Sequence, residues 1–147
     1  MFGRSFGVGG EGVQPLAVPM RGFLIVGAFA VAYHGYFRYT SDIDLFVDRS
    51  KENARRVWQA VQQFGFTDLK LTVEDFSQEN QVIQFGVPPN RIDVMTFISG
   101  VSFDEAWADR EQGELDGLSV SFISKEMLKR NKTACGRLQD LADLEYL

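Results

Sequence analysis

The chain has 147 residues, 45% of them hydrophobic and 24% charged, which excludes a disordered polypeptide and fits one domain able to bury roughly two thirds of its unfolded surface. One cysteine, Cys135, and one histidine, His34, exclude a disulfide framework, a cysteine zinc cluster and a multi-histidine metal site, so any metal must rest on carboxylates, the ligands of hard ions such as Mg²⁺ or Mn²⁺. A net charge of −5 argues against nucleic-acid binding by the whole surface, although residues 124–137 carry a local +4 (Lys125, Lys129, Arg130, Lys132 and Arg137 against Glu126) and leave −9 elsewhere.

Residues 1–22 hold six of the fourteen glycines and two of the four prolines and show no periodicity, so they read as a poorly ordered arm before a domain spanning 23–147. The apolar run from Phe23 to Tyr33 is too short to span a membrane. Its character changes inside: Phe23-Leu-Ile-Val26 reads as a buried strand, Gly27 breaks it, and Ala28 to Gly35 reads as a short helix. A strand, a glycine and a turn into a helix form a phosphate cradle, and with no targeting signal the expected compartment is the cytoplasm. Asp42 to Val47 is the second strand. Asp48 or Ser50 caps a helix whose face carries Ala54, Val57, Trp58, Val61 and Phe64, with Gly65 as its stop. Residues 69–73 and 81–87 read as strands. Pro88-Pro89-Asn90 is a turn into a strand over 91–98, making 81–98 a hairpin. A capped helix over 102–110 and a strand over 118–123 follow. Ser124 then caps a last helical stretch divided at Gly136, with Leu138, Leu141, Leu144 and Leu147 as an apolar stripe. Interleaved strands and helices predict an α/β or α+β domain with a mixed sheet.

The chemistry lies in acidic residues set within apolar strands. Asp42 and Asp44 are two apart and so share a face; Asp93 stands between Ile92 and Val94 in another apolar strand. Gathered together, three carboxylates repel, and divalent cations are the simplest remedy. The structural alternative makes Asp42 a strand-start or turn residue and pairs Asp44 and Asp93 with arginines such as Arg38 or Arg91. His34 reads as a structural contact rather than a base. Arg38 suits either phosphate or Asp42 and Asp44. Asp140 and Asp143 are expected to cap the last helix or pair with Lys132 and Arg137, and the aromatics are expected in the core.

Gly27-Ala28, Ala32-Tyr-His34-Gly35, Arg38, Thr40, Asp42-Ile-Asp44-Leu and Arg91-Ile-Asp93 together resemble the nucleotidyltransferase fold, the superfamily of DNA polymerase β. The similarity runs from about Phe23 onward and is closest to the small bacterial branch that includes abortive-infection (AbiEii-type) toxins, which residues 132–143 also resemble. That resemblance implies two Mg²⁺ (or Mn²⁺) ions on Asp42, Asp44 and Asp93, with Asp93 also assisting deprotonation of the acceptor hydroxyl. It implies an NTP substrate with its triphosphate on Gly27 and Ala28; Lys132 and Arg137, on or near one helix, suit either phosphate or a plain helix surface, as Arg38 suits either phosphate or an aspartate. The implied acceptor is an RNA or a protein hydroxyl, with pyrophosphate as the other product. The chain departs from the family at Ala28, where glycine or serine is usual. A non-catalytic module of a toxin–antitoxin-like pair is the competing expectation, and a metal-dependent phosphohydrolase is the third.

Overall fold

The computed structural model describes residues 22–66, 70–87 and 90–147. The expected N-terminal arm up to residue 21 and the Pro88-Pro89 part of the expected turn lie outside these residues. Six strands form one mixed sheet: β1 (Phe23–Val26), β2 (Asp42–Val47), β3 (Val82–Phe85), β4 (Arg91–Met95), β5 (Glu111–Leu115) and β6 (Leu118–Phe122), in the order β3-β4-β2-β1-β6-β5. β2 runs parallel to β4 and β1 parallel to β6; the other neighbours are antiparallel. The helices are α1 (Gly27–Tyr33), α2 (Lys51–Gln63), α3 (Phe103–Ala108), α4 (Lys125–Cys135) and α5 (Leu138–Leu144).

Strand alternation sorts the core into two layers. Phe23, Ile25, Ile43, Leu45, Val47 and Val94 join the cluster that contains Ala54, Val57 and Val61 of α2. Leu24, Val26 and Phe46 join the opposite cluster, with Ala30 and Val31 of α1, Ala106 of α3 and Leu128 of α4. All four residues of β1 are buried, as a strand covered on both faces requires. Caps fix the helix starts: Ser50, Ser102 and Ser124 each accept the backbone N–H three residues on. Gly136 ends α4 at φ +68°, a left-handed conformation that glycine adopts without penalty.

Three expectations change. Residues 70–72 form no strand; Thr72 and Asp75 make a reciprocal capping box that starts a 3-10 turn over Val73–Phe76. β5 was not expected. The leucine stripe of the last helix is not its buried face: Leu138 and Leu141 are exposed, while Asp140 and Asp143 are 1% and 0% exposed. That face packs against cations, so acidic rather than apolar residues fill it.

Candidate active site

Asp42 and Asp44 lie on the same face of β2 as Phe46, turned toward the α1 and α4 layer. Parallel pairing sets Asp42 opposite Arg91 and Asp44 opposite Asp93, so Arg91 and Asp93 project to that same side. The expectation of three acidic residues from two strands converging on one face is thus met at the level of register. Gly27, at the end of β1, borders them. Its φ is +67°, and a Cβ there would fall on the Asp44 carboxylate, so only glycine admits this approach. Ala28 is buried, its methyl accommodated in the core.

The electrostatics of the three aspartates differ. Arg91 donates through Nη2 to Asp42 Oδ2 at 2.7 Å, and Ser41 Oγ donates to Asp42 Oδ1 at 3.0 Å. The Arg91 bond chiefly holds the Asp42 carboxyl below its ordinary range. Asp44 has no cation in contact. Burial, then the charges of Asp93 and Asp42, push its pKa up to about 7. Burial and the Asp42 charge also raise Asp93, which shares a hydrogen bond with Asp44. Two buried polar atoms here lack hydrogen-bond partners, Asp93 Oδ1 and Arg91 Nε, which stand 3.9 Å apart.

This donor set suits a hard divalent ion: every donor is a carboxylate oxygen, and one is orphaned. Among the described residues, however, no three His, Cys, Asp or Glu side chains stand together as a ready set of metal ligands. Arg91 instead holds Asp42 by its Oδ2.

Beside the aspartates lies a second charged cluster. Arg38 makes a two-pronged contact with Asp143, both bonds 2.9 Å. Lys132, 4% exposed, contacts Asp143 at 3.0 Å and Asp140 at 3.3 Å. Arg137 grips Asp140 through Nε at 2.7 Å and Nη2 at 3.1 Å. Burial pushes both carboxyls up, but hydrogen bonds from Arg137 and Lys132 to Asp140, and from Arg38 and Lys132 to Asp143, leave each below its ordinary range. The expected pairing of Asp140 and Asp143 with Lys132 and Arg137 is therefore present. Arg38, expected to meet phosphate, Asp42 or Asp44, instead anchors the loop before β2 to α5. Lys132 lies in the interior, where its charge acts on Asp44. Arg137 keeps a largely exposed side chain.

Arg91, expected as a partner of Asp44 or Asp93, instead bonds Asp42, the residue opposite it in the parallel register. His34 donates through Nε2 to the Ile123 carbonyl at 2.9 Å, the structural contact expected of it. Phe37 and Tyr39, on either side of Arg38, are 80% and 77% exposed rather than in the core.

No family model and no curated protein sequence matches this chain. Among solved structures it is similar to a Thermotoga maritima protein described as a candidate nucleotidyltransferase, with a TM-score of 0.58 at 17% identity, over 90% of this chain and 85% of that one. At that identity the likeness is one of architecture. The chain has the α+β nucleotidyltransferase-like fold, a mixed six-stranded sheet carrying five helices.

Proposed function

We propose that this protein is a metal-dependent nucleotidyltransferase that moves a nucleoside monophosphate from an NTP to an RNA or protein hydroxyl and releases pyrophosphate. One observation carries the reading: Asp44 and Asp93 sit level on adjacent parallel strands, against a glycine with no side chain, with more negative charge than the chain neutralises. A merely structural site would balance that charge.

Held by Asp42, Asp44 and Asp93, two Mg²⁺ or Mn²⁺ ions would supply the positive charge that stabilises the attacking and leaving oxygens. The protein's own groups do the rest. Asp93, its carboxyl made more basic by burial, takes the proton of the acceptor hydroxyl as that oxygen bonds to the α-phosphorus. The bond from that phosphorus to the bridging oxygen breaks, and its electron pair leaves with pyrophosphate. Gly27 and Ala28 open α1, so their N–H groups have no partner within the helix and suit the triphosphate beside Asp44. Arg38 and Lys132 hold the frame, and Arg137 has the exposure to reach phosphate.

The basic stretch over 124–137 is less free than its charge count suggests. Arg130 pairs with Glu105, while Lys132 and Arg137 pair with α5. Docking of an RNA acceptor there would rest on Lys125 and Lys129, and its affinity should fall only modestly with salt. Membership of the bacterial abortive-infection branch belongs to this reading on the sequence resemblance alone, and a cytoplasmic location on the sequence pattern; a toxin–antitoxin-like pair belongs to the competing non-catalytic module. Among the described residues no helix is long and apolar enough to cross a membrane.

The test is incubation of the full chain with Mg²⁺, each labelled NTP, and cellular RNA and protein. Label transfer with pyrophosphate release, lost in Asp44→Asn, supports the reading. Absence of transfer with every nucleotide favours the non-catalytic module, and release of inorganic phosphate favours a hydrolase.

A further inference from the structure

Arg91 is an anomaly within the acidic cluster. It projects from β4 on the same face as the aspartates, directly opposite Asp42, and its Nη2 lies 2.7 Å from Asp42 Oδ2. Its Nε points at Asp93 Oδ1 but stops 3.9 Å short, and both atoms are buried without a hydrogen bond. One guanidinium is thus stretched between two carboxylates, satisfying one and only approaching the other. A guanidinium optimised as a permanent partner would grip one carboxylate with two parallel bonds, as Arg38 grips Asp143 in this same molecule. The Arg91 side chain also keeps 31% exposure, so solvent is open to it if it leaves.

Resting on the metal-dependent reading above, we infer that Arg91 is a resident counter-cation that competes with the divalent ion for Asp42 and Asp93. With the ion absent, the guanidinium keeps the acidic face from flying apart and turns Asp42 away from its neighbours. When the ion enters, both carboxylates turn to it, the orphaned Asp93 oxygen gains a partner, and Arg91 swings to solvent or to an anionic substrate. Loading of the site then has an internal competitor. An anion such as the triphosphate, by giving Arg91 another partner, eases entry of the metal. Arg91 is a positioning residue on this account and touches no reacting atom.

The experiment is titration of the full-length protein with Mn²⁺ alone at pH 8, followed by electron paramagnetic resonance of the free ion. Wild type, Arg91→Gln and Arg91→Lys are compared, with folding checked by circular dichroism. Removing the competitor should tighten Mn²⁺ binding in Arg91→Gln by roughly threefold or more, the scale of losing a partly exposed ion pair. Arg91→Lys, which keeps the charge but cannot span both carboxylates, should fall between. Ion uptake by Arg91→Gln when wild type takes none also supports the inference. Equal or weaker binding in Arg91→Gln beside a wild type that binds overturns it and leaves the metal-dependent reading standing. No Mn²⁺ binding by any of the three folded proteins overturns both. A general loosening of the site would weaken binding in both variants, so a gain in affinity cannot come from structural damage.

Discussion

Two acidic clusters face each other across the α1 and α4 side of the sheet, and the chain treats them in opposite ways. Asp140 and Asp143 are almost wholly buried, yet three cations close around them and hold their carboxyls below the ordinary range. Asp42, Asp44 and Asp93 share a single arginine, and Asp44 is pushed to about 7. Burial acts upward on every one of these groups; what differs is how many cations the sequence places within reach. The first cluster is a clasp tying α4, α5 and the loop before β2 together. The second gathers three carboxylates around one arginine, the imbalance on which the proposed function rests.

Breaking the clasp should have the largest effect. Asp143→Ala leaves the buried Lys132 with Asp140 alone and deprives Arg38 of its partner, and urea unfolding should show a loss of about 3 kcal/mol, the scale for a buried pair that loses one member. The opposite cluster should respond with the opposite sign. Asp44→Asn removes a charge the fold holds unwillingly. A rise from 3.8 to about 7 corresponds to at most ~4 kcal/mol, and allowing for partial exposure the variant should gain about 2–3 kcal/mol at pH 8 while losing nucleotidyl transfer.

The pH dependence sharpens the same contrast. The folded state binds a proton at Asp44 that the unfolded chain releases, so wild-type stability should decline as pH rises from about 4 to about 7, then level off. Asp93 adds to that slope. Asp140 and Asp143, shifted the other way, support the fold above 3.8 and lose that contribution as pH falls through their folded values. Melting temperatures across pH should therefore show an acid limb common to wild type and Asp44→Asn, and a neutral slope reduced in the variant. Gly27→Ala comes next in size: the left-handed backbone costs about 1–2 kcal/mol, and the new methyl displaces Asp44, so thermal stability and transfer should both fall. Arg130→Gln cuts an exposed pair with Glu105 and a bond to the Gly100 carbonyl, neither part of the two clusters, and should change stability by less than about 1 kcal/mol.

Much of the working face was legible because strand chemistry is simple. A period of two put Asp42 and Asp44 on one side, and an acid amid Ile92 and Val94 marked the second strand. What escaped was of another kind. β5, Glu111-Gln-Gly-Glu-Leu115, is an edge strand paired with β6 on one side and mostly exposed, so no apolar alternation betrays it. Asp116 and Gly117, both at positive φ, were its available sign, a tight hairpin turn. Leu71 to Val73 has strand-like residues, but Thr72 and Asp75 serve each other locally and prevail. In α5 the leucines drew attention because leucine usually faces inward, whereas the interior there already held Lys132 and needed acids. Partner choice between Arg38 and Arg91 turned on contacts spanning 105 and 49 positions, which no local pattern encodes.

The clasp also sets a timetable for the newborn protein. Arg38 cannot meet Asp143 until 105 further positions have been synthesised, and Lys132 has no neutralising neighbour until α5 emerges behind it. On the ribosome the acidic strand β2 is made well before α5, which fastens the loop feeding it. A nascent chain therefore carries Asp42 and Asp44 before the helix that braces their approach has been synthesised.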